Sequence, residues 1–358
     1  MRTHRLLIRN GRIWDGTRFF EGSVAVKNGK IEAIGDTANF DCSYIYDAEG
    51  DIISAGLVDI HTHLRYLSDP FYEVDAEPLC FSCGVTSVAD GGTLFASSAP
   101  EYSQLKTRLF IPVSIKNGEA DFSLADSLLP FYGERAIGYK VYFDKGMIGE
   151  CGISPFKQIC ERARQAGLKI MVHCTNSPTP MAQMLSCMSE GDICTHAYHG
   201  KGHTAAEDGF DCLRLAREKG IILDLGLANG YHADVNVLSR AIELGLAPDT
   251  LSTDLTCDMR IKNGSYGLRL AMDMMRTLGM DEKSLMRAVT SSAAAAIGLE
   301  DCAGRLRVGA CADITVLHYG STEGSVSDIN KNTLMLKEGY TCMLTVADGC
   351  VVYRSDRR

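Results

Sequence analysis

Eight short apolar runs, each about as long as a β-strand, are spaced through the middle of this chain. They lie at 57–60, 87–89, 110–113, 137–141, 170–172, 193–195, 221–225 and 251–253. Continuous runs of this kind are what strands buried on both faces look like. Helix-like stretches separate them. Ser154-Pro155 reads as an N-cap and first-turn proline, and Gly167, Gly220 and Gly245 fall where helices end. Eight strand–helix units over about 250 residues match the size of a (β/α)8 TIM barrel. A doubly wound open sheet is the alternative fold. No Gly-x-Gly-x-x-Gly opens its first helix, however, and the chemically active residues are spread over too many strands.

Those residues sit at strand ends. His61 and His63 close strand 1, Lys140 strand 4, His173 strand 5, His196 strand 6 and Asp254 strand 8. In a barrel the strand C-termini converge on one rim, so residues distant in sequence share one site. His61 and His63 alternate along their strand and therefore face the same side. Imidazole and carboxylate suit zinc and its neighbours. A single buried histidine is ordinarily a satisfied core residue, but coincidence does not account for so many at strand ends. Lys140 alone would read as a salt-bridge lysine. Its neighbours Ile137, Gly138, Tyr139 and Val141 mark a buried strand, where an uncompensated ammonium is costly. A carbamate formed from carbon dioxide would instead be an anion whose two oxygens can bridge two divalent ions.

The termini differ from the middle. Runs at 6–8, 24–26 and 31–34 alternate with Asn10-Gly11 and Asn28-Gly29, the residues of tight hairpin turns. The C-terminal runs 314–317, 343–346 and 351–353, with Asp348-Gly349, repeat the style. Neither piece can cover a sheet face alone. Residues 1–54 and 304–358 are therefore expected to make one small β-sandwich, leaving 55–303 as the catalytic barrel.

Composition narrows the function. The net charge of -9 argues against nucleic acid as a partner, which needs a basic surface. No apolar stretch approaches the roughly 18–20 residues that span a bilayer, so no membrane association is expected. Arg2, Arg5, Arg9 and Arg12 interrupt the first segment, which lacks the apolar centre of a signal peptide. The 14 cysteines then read as reduced, buried side chains of a cytoplasmic protein, Cys80 and Cys83 among them.

The run Gly56-Leu57-Val58-Asp59-Ile60-His61-Thr62-His63 resembles the opening motif of the amidohydrolase superfamily. Ser252-Thr253-Asp254 and the segment from Gly304 to Leu317 are similar to its cyclic-amidase and deacetylase members. Thr195-His196-Ala197-Tyr198-His199-Gly200-Lys201 and Asp254-Leu255-Thr256 resemble the dihydroorotase-like deacetylase subgroup of binuclear metal-dependent enzymes. The resemblance covers nearly the whole chain. It implies that His61, His63 and Asp254 hold one metal, His173 and His196 a second, and carboxylated Lys140 bridges them. The implied cofactors are two divalent ions, zinc by ligand type, and carbon dioxide as the lysine carbamate.

Two metals sharing a water lower its pKa toward neutrality. Asp254 can then accept the water's proton and pass it to the departing nitrogen, as general base and then general acid. Further candidates lie around the rim. Arg65 completes a His-x-His-x-Arg arrangement that in dihydroorotases holds a substrate carboxylate, and Arg260 is a second cation after strand 8. His199, His203 and His232 are loop histidines in reach of substrate, and Tyr142 is placed to donate to an oxyanion. Each has a plain structural alternative as a rim or core residue. The expected enzyme hydrolyses a small anionic amide: an N-acyl amino or hydroxy acid first, a cyclic amide second. A homo-oligomer is compatible with the sequence. A mononuclear deaminase has no need of Lys140, and an inactive homologue acting as an interaction protein would be expected to have lost ligands.

Overall fold

The computed structural model describes residues 5–37, 40–63, 76–92, 103–228, 230–255 and 267–356. Strands β1 (Arg5–Trp14), β2 (Phe19–Lys27), β3 (Lys30–Gly35), β4 (Tyr44–Asp47) and β5 (Ile52–Ala55) come first. Asn28 and Gly29 take positive φ, 53° and 78°, and turn β2 into β3 as expected. Asn10-Gly11 does something else. It is a bulge inside β1, where pairing with β2 shifts between Ile8 and Gly11 and then resumes. Asn10 is tied to Asp47 by its side-chain amide, and a Cβ on Gly11 would lie 2.4 Å from Ile53, so the strand kinks without reversing.

The middle of the chain supplies a parallel sheet. Its members are β6 (Leu57–Thr62), β7 (Val85–Asp90), β8 (Lys106–Lys116), β10 (Ala136–Tyr142), β11 (Lys169–His173), β12 (Ile193–Thr195) and β13 (Ile222–Asp224), side by side in chain order. The short β9 (Glu119–Asp121) folds back on β8. Residues 250–255 join the two edges. Leu225 and Leu227 donate to Thr250 and Ser252 on one side, while Asp254 N donates to His61 O at 2.7 Å on the other. This makes a mixed α/β fold with a TIM-barrel-like domain. The eighth run forms no regular ladder: isolated bridges flank it at Thr250 and Leu255, and Asp254, at φ 52°, leaves the extended conformation between them.

Helices such as Ser154–Ala166, Asp211–Glu218 and Val235–Glu243 cover the outside of this sheet with their apolar faces. No helix among the described residues is long and apolar enough to cross a membrane. The described cysteines are all free thiols.

Strands β14 (Ile314–Ser327), β15 (Thr333–Ala347) and β16 (Cys350–Arg354) complete a second sheet in the order β16-β15-β14-β5-β1-β2-β3, with β4 also paired to β1. The two termini thus share one sheet, joined where Ile314–Leu317 pairs with β5. Its far edge hydrogen-bonds back to the chain just before β14: Ile31 N to Ala310 O at 3.0 Å, Ala312 N to Gly29 O at 2.9 Å. Leu6, Ile8, Ile13, Val24, Val26, Ile53, Ile314 and Leu344 are buried inside that curve.

Candidate active site

The strand ends at the barrel mouth gather His61, His63, Lys140, His173, His196 and Asp254 into one cluster. Lys140 Nζ lies 2.8 Å from His61 Nε2. Asp254 Oδ1 is 3.3 Å from His61 Nε2 and 2.9 Å from His63 Nε2, and its Oδ2 is 3.8 Å from His196 Nε2. The rings of His173 and His196 meet edge-on at 4.7 Å between centroids. His232 joins them, 3.9 Å from the His196 ring and 3.5 Å from Asp254 Oδ2. The ligand atoms of His61, His196 and Asp254 lie close enough to hold an ion, as do those of His173, His196 and His232.

Hydrogen bonds outside the cluster fix the ring tautomers. Thr195 donates its hydroxyl proton to Asp224 at 2.8 Å, so toward His61 Nδ1, 2.9 Å away, it can only accept. His61 therefore carries its proton on Nδ1 and turns an Nε2 lone pair inward. His196 Nδ1 donates to Gly226 O at 2.8 Å with the same result. The Nε2 atoms of His173 and His196 are buried with no hydrogen-bond partner. Buried polar atoms are rarely left this way, and an absent ligand is one standard reason. The carbonyl behind His196, and the Asp224 carboxylate that acts on His61 through Thr195, are the kind of support that orients metal-binding histidines.

Burial sets the charge states. It holds His61 and His196 well below the usual histidine range and lowers His173 to about 4, so these rings are neutral near pH 7. It also lowers Lys140, wholly buried, to about 8, which leaves an appreciable share of free amine. Burial works the other way on Asp254, but His61 and the hydrogen bonds from His232 and His63 outweigh it, and the carboxyl sits well below its usual range. Both His196 and Asp254 occupy positive φ, 62° and 52°, a region uncommon for non-glycine residues though better tolerated by His and Asp than by most.

Other candidates from the sequence fare differently. Tyr142 donates to the backbone carbonyls of Gly91 and Gly92 at 3.3 and 3.1 Å. Its ring packs beside His173. His199 is buried, but its Nδ1 accepts from Lys201 N and not from the cluster. His203 pairs with Glu207 at 3.0 Å on the surface. Arg65 and Arg260 lie outside the described residues.

The sequence reading missed four buried or half-buried supports. Asp224 accepts from Thr195, Thr250 and Ser252, and burial raises it to about 6. Asp59 accepts from the N–H and hydroxyl of Thr253, and burial raises it to about 7. Thr175 bonds His232 Nδ1 at 3.0 Å. Asp144 accepts from Asn176 and Gly146 and lies 3.7 Å from His173 Nε2. Asp59 and Thr175 each sit within two residues of a proposed ligand, so their place beside it was a usable signal. Asp144 and Asp224 gave none.

Comparison with known proteins adds three findings. The sequence profile of the amidohydrolase family matches residues 139–349. A deacetylase of Enterococcus faecalis is 27% identical over 368 residues, covering 96% of this chain and 98% of that one. Among solved structures, a dihydroorotase superposes with a TM-score of 0.84 at 24% identity, covering 98% of this chain and 99% of its own. An adenine deaminase superposes with a TM-score of 0.83 at 23% identity, covering 98% and 100%. The structural likenesses speak for the fold alone.

Proposed function

This chain belongs to the amidohydrolase family, and from that premise we propose a metal-dependent hydrolase that cleaves the amide bond of a small anionic N-acyl amino acid or related acyl compound. The single observation that carries this reading is the convergence of His173 Nε2 and His196 Nε2, buried and unpartnered, with Asp254 and Lys140 at the barrel mouth. The donor chemistry fits divalent ions, zinc in particular. His61, His63 and Asp254 would hold one ion, His173 and His196 a second, and Lys140 would lie between them as its carbamate. Carboxylation exchanges a buried cation lodged against an imidazole for an anion with two acceptor oxygens, which suits a site holding cations.

Bound divalent ions would acidify the attacking water and polarise the acyl carbonyl. The chain's own groups do the rest. Asp254, ionised near neutral pH, takes the water's proton and delivers it to the departing nitrogen. Asp224 and Thr195 keep the His61 ring turned inward. Arg65, with Arg260 as second choice, is the proposed grip for a substrate carboxylate. Residues 55–303 are read as the catalytic (β/α)8 barrel, with 1–54 and 304–358 as a β-sandwich beside it. A cyclic amide is the alternative substrate form.

Elemental analysis of protein purified gently with metal present is expected to find about two divalent ions per chain. Lys140→Ala should lose metal and activity together, with partial return of both on adding short carboxylic acids. One ion or none in the native protein, or a Lys140→Ala variant with two ions and native turnover, sinks the binuclear reading. N-acyl amino acids of both hands, run beside cyclic ureides, decide the substrate form.

A further inference from the structure

The terminal sheet reaches the barrel mouth, and it does so beside His232. β14 pairs with β5 only over Ile314–Leu317, while its pairing with β15 continues to Ser327 and Thr333. Beyond the sheet the two strands run on as a ribbon of about 30 Å, at roughly 3.4 Å per residue. A lone two-stranded ribbon is marginal in water. This one is held along its length by Val326 and Leu336 in the main core and by Tyr340 N donating to Asp273 at 2.7 Å.

Its tip is folded by Asp328, which is 2% exposed. Oδ1 accepts from the N–H groups of Asn330 and Asn332, and Oδ2 accepts from the Asn332 amide at 2.8 Å. Three further bonds cross to the barrel. Asp328 Oδ2 accepts from Val235 N at 3.2 Å, Ile329 N donates to Ala233 O at 3.0 Å, and Asn330 Nδ2 donates to Asp234 Oδ2 at 2.5 Å. Asp234 itself caps the helix Val235–Glu243, its Oδ1 accepting from Asn236 and Val237. The three residues that follow His232 are thus each bonded to the tip. On the other side, Gly200 N donates to His232 O at 3.1 Å, and a Cβ on Gly200 would lie 2.8 Å from both Asp234 Cβ and Ile329 Cγ2.

We infer that the tip of this ribbon sets the position of His232 at the mouth, with Asp328 and Asn330 as positioning residues. The inference rests on the proposed role of the mouth. Neither residue touches the cluster. They act by holding residues 233–235, and through them the backbone that aims the His232 ring at Asp254. The small domain then contributes to turnover as well as to stability.

The test uses the metal-loaded full chain with Asp328→Ala and the milder Asn330→Ala, each alone and combined with His232→Ala. Each tip variant is expected to lower kcat on the order of 10-fold, since a misplacement of about 1 Å can cost more than that, with KM and metal content little changed and Tm lowered more by Asp328→Ala than by Asn330→Ala. In the His232→Ala background the same substitutions should change kcat by less than about 2-fold, because residues acting as one unit do not add. Equal losses in both backgrounds, or a fall in Tm with unchanged kcat, would overturn the inference. Deuterium uptake over 230–237 reads the clamp without any substrate, and faster uptake in both variants is expected. Unchanged uptake overturns the clamp even if turnover falls. A native protein that hydrolyses no amide defeats the proposed function and leaves the uptake result standing. Should Asp328→Ala fail to fold, Asn330→Ala carries every arm, its side chain being at an exposed position.

Discussion

The barrel mouth and the curve of the terminal sheet are buried to the same degree and with opposite consequences. In the sheet, Ile8, Ile13, Val24, Ile53, Ile314 and Leu344 have no polar side-chain atoms, and burial stabilises each of them. At the mouth, His61, Lys140, His196 and Asp224 are just as inaccessible, and burial works against their charged forms. The sheet gains stability from its burial. The mouth spends part of it on a polar cluster in which the outer atoms of His61 and His196 are hydrogen-bonded and the Nε2 atoms of His173 and His196 are left open. Inaccessibility therefore does not identify a core. The chemistry of what is inaccessible does.

Four substitutions break or sharpen that contrast. Asp254→Asn should keep most bound metal while kcat falls about 10²–10⁴-fold, the usual worth of a general acid–base group. Stopped assays beside elemental analysis check it, and an unchanged kcat would place the proton transfer elsewhere. On the other side of the contrast, Ile53→Ala should cost about 2–5 kcal/mol of unfolding free energy, measured by urea melts. Its kcat and metal content per folded molecule should stay native; a matching fall in kcat would mean that the two regions are less separate than the contrast supposes.

Thr195→Val keeps shape but removes the hydroxyl between His61 and Asp224. Metal affinity is expected to weaken about 10–100-fold, as for other groups that orient metal-binding histidines, and chelator competition measures it. An affinity equal to native would show that the tautomer of His61 needs no such support.

The smallest effect concerns Asp273, which accepts from Tyr340 N on the ribbon and which burial raises to about 6. A carboxyl raised on folding binds its proton more tightly in the native state, so its contribution is full below its unfolded pKa. That contribution is lost as pH rises through the folded value, here between about 4 and about 6. Asp273→Asn keeps an acceptor for Tyr340 and cannot ionise, so its stability should fall less than that of the native chain across this window. Parallel pH curves for the two would show that Asp273 does not titrate there.

What the sequence determined by itself is the part that rests on local pattern. Apolar runs and helix ends placed the seven parallel strands, because burial on both faces demands continuous apolar residues whatever the surroundings. The strand-end positions of His61, His63, Lys140, His173, His196 and Asp254 were legible for the same reason: a parallel barrel sends every strand end to one rim. Tertiary structure alone decided the rest. Asn10-Gly11 has the residues of a turn, but Asp47 and Ile53, from two neighbouring strands, make it a bulge. Tyr142 donates to Gly91 and Gly92, some fifty residues earlier in the chain. His232 came into the cluster while His199 did not, since loop direction depends on what holds the loop. For His232 that is Thr175 on one side and, 96 residues beyond Asp234, the Asn330 amide on the other. Local pattern specifies how a segment folds when its environment is generic. Where a side chain's partner lies far away in sequence, only the folded chain brings the two together, and the partner decides what the side chain does.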